Sequence, residues 1–274
     1  MPEMPEVETI RRSLADKVEG RHIVKVDIRL PRLIKWPEAA DFPGYILRRT
    51  ITRLERRGKY LVFHLEGGMA LVIHLRMTGR LFLSVPDMSP DRFTYVVFHL
   101  DNGNQLFYAD TRTLGTIYAM EESELGRIAG LISLGPEPLS EEFTCEYFRR
   151  ITQSRQGRIK ALLLNQKLVG GLGNIYVDEA LAIAGIDPDR TACSLTTEET
   201  ETLYNAINQV IAEGIRHGGT TFRDYRDGIG RKGSYQHELF VYGRRGQPCR
   251  RCGTAIERKE TAGRGTHFCP ACQN

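Results

Sequence analysis

The sequence has no long hydrophobic run. Its longest apolar stretches, such as Met69–Ile73, hold about five residues, whereas a membrane-spanning helix needs about 20. A transmembrane protein is excluded. The opening ten residues, MPEMPEVETI, are acidic and proline-bearing. They lack the basic and apolar regions of a secretory signal, so a cytoplasmic location is expected. Internal repeats and low-complexity tracts are missing as well. Net charge is small: 38 basic and 34 acidic residues leave +4. A composition of 41% apolar and 26% charged residues suits a globular chain rather than a disordered one. The 274 residues leave room for two or three domains.

The small net charge conceals an asymmetry. Residues 239–274 contain Arg244, Arg245, Arg250, Arg251, Arg258, Lys259 and Arg264 against only Glu257 and Glu260. That segment carries +5 and the other 238 residues −1. A basic C-terminal module on a near-neutral body points to a polyanionic partner. Four of the six cysteines lie in the same module, as Cys249-x2-Cys252 and Cys269-x2-Cys272 with 16 residues between the pairs. Four thiolates at this spacing can close a tetrahedral metal site. The intervening GTAIERKETAGRGTHF reads as a hairpin turning at Gly-Arg-Gly. So short a module buries little core, and a metal would supply its folding free energy. Zinc is expected; iron and a pair of disulfides remain open on spacing alone. Cys145 and Cys193 are isolated and read as buried thiols.

Met4, Val7, Ile10, Leu14 and Val18 recur at helical spacing, with Gly20 as the stop. From about 22 to 120 the pattern alternates with period two, and Asp101-Asn102-Gly103-Asn104 marks a hairpin turn. Strands without a long intervening helix predict an antiparallel sandwich or barrel. Helices are expected over Glu121–Ser133, Glu141–Ser154, Arg158–Gln166, Ile175–Ala184 and Thr197–Arg216. Leu134–Leu139 reads as a hinge, and the glycine-rich Gly218–Ser234 as a mobile loop.

The N-terminus is the most unusual feature. Removal of Met1 would leave Pro2 as a free secondary amine, and an α-amino group with a pKa near 8 is partly unprotonated at neutral pH. Such an amine condenses with a carbon at the aldehyde oxidation level to give an iminium, an electron sink for covalent catalysis. Glu3 stands beside it to move protons. Asn174 follows Gly170, Gly171 and Gly173 and precedes a predicted helix, where it is expected as N-cap; glycine amides and a helix N-terminus make a phosphate site. Four of the seven residues from Arg53 to Lys59 are basic, a second candidate phosphate patch.

MPEMPEVETIRR, Gly58-Lys59-Tyr60, HLRMTGR at 74–80, LGPEPL at 134–139, GLGNIYVDE at 171–179 and the AGRGTHFCPAC tail occur in this order along the whole chain. Together they resemble the bacterial formamidopyrimidine-DNA glycosylases. The resemblance implies an α+β fold in three parts. These are an N-terminal antiparallel β-sandwich with flanking helices (1–132), a helical domain with a helix–two-turn–helix motif and a lesion-capping loop (133–237), and a C-terminal zinc ribbon (238–274). It implies a monomer with one structural Zn2+ on Cys249, Cys252, Cys269 and Cys272. It also implies a duplex DNA partner carrying damaged bases or abasic sites, and hence association with the bacterial nucleoid.

The resemblance further assigns roles. Pro2 becomes the nucleophile at the deoxyribose C1′, Glu3 the acid/base, Glu6 a second carboxylate near the site, and Lys59 a phosphate contact and proton donor in β-elimination. Asn174 and Arg264 grip the phosphates, with Arg264 also serving δ-elimination. Met77 fills the gap left by the extruded nucleotide, and Arg112 pairs with the orphaned opposite base. Arg155 and Lys160 stand in a basic DNA-contacting segment. Thr220, Thr221 and Tyr235 become lesion contacts. The pattern departs at Leu114, where phenylalanine is usual, and at Phe93 and Tyr95, where a histidine pair is common. The implied activity is bifunctional: excision of oxidised purines such as 8-oxoguanine through a Pro2 Schiff base, then β,δ-elimination. The alternatives are an endonuclease VIII-like enzyme for oxidised pyrimidines, a noncatalytic DNA-binding relative, and a structural zinc-ribbon protein.

Overall fold

The computed structural model describes residues 2–84 and 88–274. Met1, whose removal the amine chemistry requires, lies outside the described residues. The chain forms two compact units. One comprises residues up to Ile132 together with His217–Ser234; the other comprises Ser133–Arg216 and Tyr235–Asn274.

In the first unit α1 spans Met4–Val18. Pro5 sits in its first turn, where the missing N–H costs nothing. Val7, Ile10, Leu14 and Val18 form its buried stripe. Gly20, at φ +77°, takes the chain out of the helix and donates to Ile51 O at 2.8 Å. Strands β1 (Ile23–Ile28) and β2 (Ile34–Trp36), the short helix α2 (Phe42–Ile46) and strands β3 (Ile51–Arg57), β4 (Tyr60–Leu65), β5 (Met69–His74), β6 (Gly79–Leu83), β7 (Thr94–Leu100), β8 (Gln105–Asp110) and β9 (Thr116–Glu121) follow.

They make a four-stranded sheet, β1-β7-β8-β6, and a five-stranded sheet, β2-β9-β5-β4-β3. Leu81, Phe98 and Leu106 from the first and Leu61, Phe63, Leu71 and Ile73 from the second share one core with the α1 stripe. This is the expected sandwich, with one difference. β2 pairs with β9 in parallel, which some eighty intervening residues allow and a hairpin would not. The stretch expected as one helix over Glu121–Ser133 is instead a 3₁₀ turn, Glu122–Arg127, and the short helix α3, Ala129–Ile132. Gly126 and Gly130 within it lower helix propensity.

The second unit holds α4 (Cys145–Gln153), α5 (Ile159–Leu164), α6 (Asn174–Ala184) and the 20-residue α7 (Thr197–Arg216), followed by the hairpin β10 (Glu257–Thr261) and β11 (Arg264–Phe268). Leu134–Leu139 is docked within this unit. Gly135 N–H donates to Gln166 O, and Gly170 N–H to Pro136 O, both at 2.9 Å. A Cβ on Gly170 would lie 2.8 Å from Gly135 O, so these two glycine motifs meet backbone to backbone. The hairpin turns at Ala262-Gly263, both with φ above +50°, as a two-residue turn requires. Arg264 is therefore the first residue of β11 rather than the middle of the turn.

Candidate active site and nucleic-acid interface

Pro2 and Glu3 are buried at the entrance to α1. Glu3 has extended backbone, and its N–H donates to Glu6 Oε2 at 2.8 Å. The other Glu6 oxygen accepts the Thr220 N–H at 2.7 Å. The Glu6 carboxylate, 1% exposed, thus ties the start of the chain to the loop that returns 214 residues later. Gly219, at φ +82°, permits the approach; a Cβ there would lie 2.9 Å from Glu6 Cγ. Tyr225 donates its hydroxyl to Glu6 O at 3.2 Å, and burial beside Glu6 pushes that phenol well above its usual range. Thr221 Oγ1 accepts from Gly233 N–H at 2.9 Å and donates to Tyr225 O at 3.2 Å. The glycine-rich loop, His217–Ser234, groups with the first unit, whereas the expected division placed it with the helices in residues 133–237. Tyr235 lies in the second unit, buried and stacked on Tyr176 with centroids 5.5 Å apart.

Lys59 follows Gly58 in the tight β3–β4 turn and is 9% exposed. The basic run around it is partly satisfied within the fold. Arg56 donates to Glu8 at 3.2 Å and to Gly58 O at 2.9 Å. Burial alone would raise the Glu8 carboxyl, but Arg11, Arg12 and Arg56 outweigh it and hold the group at about 2. His74 lies near Lys59, buried, accepting Arg76 N–H at Nδ1 (2.9 Å). Burial, then Arg76, then Lys59 depress it to about 3, so the imidazole is neutral.

Met77, Arg112 and Leu114 come together on one exposed edge of the first unit. Met77 is 42% and Leu114 46% exposed, and Arg112 Nη1 reaches Met77 Sδ at 3.0 Å. Two long side chains and one branched one project from this edge. Phe93 and Tyr95 stand at and next to the start of β7, and Arg92 lies over the Phe93 ring, 4.6 Å from its centroid.

In the second unit two expectations change. Asn174 is not the N-cap of α6; Gly173 holds that position without a side-chain cap. Asn174 instead turns its amide to the hairpin, donating from Nδ2 to Gly265 O at 2.8 Å, and its buried Oδ1 has no hydrogen-bond partner. Lys160 is not a surface DNA contact. It is 0% exposed and donates to Asp178 Oδ1 at 2.5 Å and to Thr266 Oγ1 at 2.7 Å. A lysine buried between those partners cannot reach a phosphate. Arg155 is half-buried and donates to Ile151 O (3.2 Å) and Ser154 Oγ (2.8 Å) at the end of α4. Arg264 is exposed at the hairpin tip.

Asp178 and Glu179 escaped notice in the sequence. Asp178 Oδ2 accepts the His267 N–H at 2.9 Å. Glu179 accepts from Phe240, Val241 and Tyr242 N–H at 2.6, 3.0 and 2.8 Å. Complete burial raises the Glu179 carboxyl despite those three donors. The signal was there: two acids side by side in an otherwise apolar helix, NIYVDEALAIA. They fasten the four-cysteine module to α6. Several of its basic residues also make bonds within the second unit. Arg251 donates to Ala182 O and Ile183 O, Arg250 to His237 O and Glu238 O, and Lys259 pairs with Asp187 and Asp189. Arg245, Arg258 and Arg264 are exposed, and Arg250 and Arg251 remain exposed despite those bonds.

The cysteine sulfurs of 249, 252, 269 and 272 lie within 4.8 Å of one another. Cys249–Cys272 measure 3.9 Å and Cys252–Cys269 3.5 Å. A disulfide would bring sulfurs to about 2.05 Å. Thiolates about 2.3 Å from a central zinc stand about 3.8 Å apart, so the donor set fits zinc and not cystine. Cys145 and Cys193 are only half-buried. Among the described residues, no helix is long and apolar enough to cross a membrane.

The chain thus combines a two-sheet unit that opens on a buried proline with a helical unit that carries a four-thiolate hairpin. Three family models match in order: the formamidopyrimidine-DNA glycosylase N-terminal domain at residues 1–117, its H2TH domain at 134–226, and the zinc finger found in FPG and IleRS at 246–274. The chain belongs to the formamidopyrimidine-DNA glycosylase family. It is 51% identical to the formamidopyrimidine-DNA glycosylase of Heliobacterium modesticaldum, covering 100% of both chains. It is 49% identical to that of Desulforamulus reducens, covering 100% of this chain and 99% of the relative. Among solved structures it is similar to Lactococcus lactis Fpg in complex with DNA containing an abasic site (TM-score 0.93, 36% identity, 100% of both chains). It is also similar to the Thermus thermophilus MutM (Fpg) protein (TM-score 0.91, 42% identity, 99% and 98%). The four cysteines form the zinc site of that finger, with one structural zinc.

Proposed function

We propose that this chain is a bifunctional DNA glycosylase that removes oxidised purines, 8-oxoguanine and formamidopyrimidines, from duplex DNA and then cuts the strand. The observation that carries the reading is the buried Pro2-Glu3 pair, held by Glu6 at the head of α1. The Pro2 nitrogen, freed from Met1, attacks C1′ while the glycosidic bond breaks and the base leaves with the electron pair. Glu3 assists ring opening, leaving an iminium between proline and sugar. Loss of a C2′ proton then expels the 3′ phosphate, and a second elimination expels the 5′ phosphate. Lys59 supplies protons in the first elimination and Arg264 assists the second. Asn174, Arg264 and the α6 N-terminus hold the backbone phosphates, Met77 and Leu114 fill the vacated stack, and Arg112 pairs with the opposite base. The zinc folds the hairpin that presents Arg264 and takes no part in bond breaking.

Solved relatives of the same fold hold DNA containing an abasic site or N7-benzyl-Fapy-dG, which supports damaged duplex as the substrate. The test is single-turnover excision on duplexes carrying one 8-oxoguanine or one thymine glycol. Faster release of 8-oxoguanine is expected. Preference for the oxidised pyrimidine, or binding of both without excision, would overturn the purine assignment.

A further inference from the structure

One buried carboxylate gathers both loops that carry the wedge. Asp110, 0% exposed at the end of β8, accepts at Oδ2 from Leu114 N–H (2.8 Å) and Gly115 N–H (2.9 Å). Its Oδ1 accepts from Arg112 N–H (3.2 Å) and from the Thr78 hydroxyl (2.5 Å). Thr78 Oγ1 itself accepts the Arg112 N–H at 3.1 Å, and Thr78 adjoins Met77. The Tyr108 hydroxyl completes the set at 3.4 Å from Oδ2. Gly79 and Gly115 make room for that hydroxyl: a Cβ on the first would lie 2.9 Å from it, and on the second would overlap it. The loops are strained, with Arg76 at φ +55° and Thr113 at φ +53°. Non-glycine residues persist there only when their surroundings hold them.

We propose that Asp110 is a positioning residue for base extrusion, coupling the Met77 loop to the Arg112–Leu114 loop so that the three side chains enter the duplex as one preformed unit. The proposal rests on the glycosylase reading. Without the carboxylate each loop would have to be ordered separately on binding DNA, a cost that falls on insertion. Asparagine keeps the shape but replaces one acceptor oxygen with an NH2 donor, which must face either backbone N–H groups or Thr78.

Asp110→Asn and Thr78→Val are compared with the unaltered protein under single-turnover conditions on a duplex holding 8-oxoguanine and on one holding an abasic site. A 2-aminopurine beside a non-cleavable lesion analogue reads insertion directly. Loss of a charge-assisted hydrogen bond predicts about tenfold slower excision of the stacked lesion for Asp110→Asn. A much smaller loss is expected on the abasic duplex, where no base is displaced, together with a slowed 2-aminopurine rise. Equal losses on both substrates, or no loss on either, would overturn the proposal. If thermal melts show that Asp110→Asn does not fold, Thr78→Val decides: a selective loss supports the coupling, and a uniform or absent one refutes it. Inactivity of the unaltered protein on both substrates would instead count against the glycosylase reading.

Discussion

His74 is a single side chain whose burial has a measurable consequence. Its folded pKa of about 3 lies far below the ordinary 6.5, through burial first and the cations Arg76 and Lys59 second. Above pH 6.5 both folded and unfolded chains are neutral at this residue, and its full contribution to stability is present. As pH falls the unfolded chain binds a proton that the folded chain refuses until about pH 3, so stability declines across that window. His74→Gln, which can still accept the Arg76 N–H, is expected to flatten the fall of the urea midpoint between pH 7 and pH 5. An unchanged slope would mean that other groups govern acid lability. Leu114 is the second residue with a distinct expectation. It lacks the π face of an aromatic wedge, and stacking on a base is worth about 1–3 kcal/mol. Leu114→Phe should speed excision of intact 8-oxoguanine, or lengthen residence on undamaged duplex, more than it alters abasic-site cleavage. Equal factors on the two substrates in single-turnover rates would make the position packing only. The residues legible in the sequence are those whose chemistry is local, Pro2 next to Glu3 and the two Cys-x2-Cys pairs. Asp110 and His74 were not, because their partners lie in other strands and turns.

Among the elements, α6 does more than a glycine-rich start suggests. Its first residue reaches the hairpin, its two acids hold β11 and residues 240–242, and its last carbonyls receive Arg251. Its existence was plain from the apolar periodicity. The direction of the Asn174 side chain was not, because capping and hairpin contact demand the same residue at nearly the same place. Lys160 failed similarly: a lysine in a basic stretch resembles a phosphate ligand until Asp178, one turn into another helix, takes its charge. Removing one member of so buried a pair strands the other, at about 3–5 kcal/mol. Lys160→Met should therefore lower unfolding free energy by about that amount, and adding Asp178→Asn should recover part of it. Denaturant titrations measure both. A neutral Lys160→Met would show that the pair is not what fixes the hairpin to the helices.

At the scale of the molecule, the first unit is built from two distant stretches of chain. Nothing in the composition of Gly218–Ser234 announces that it belongs with α1; Glu6 and Ser13 bring it there, Ser13 Oγ accepting Gly228 N–H at 2.9 Å. The +5 of the C-terminal segment was legible as a sum, but the sum does not show that Arg244, Arg250, Arg251 and Lys259 also fasten the fold internally while five of the seven basic side chains stay exposed. The order of the parts, by contrast, could be read directly, because strand alternation, helical period and cysteine spacing are each local patterns. The proposed chemistry depends on Pro2 as the group that bonds to DNA. The most direct test is borohydride reduction of the protein on duplexes carrying 8-oxoguanine or an abasic site, followed by mass spectrometric mapping of the crosslinked peptide. The adduct is expected on the proline nitrogen at position 2, with Met1 absent, and Pro2→Gly should trap far less. An adduct that maps to a lysine, with Pro2→Gly fully active, would contradict the account.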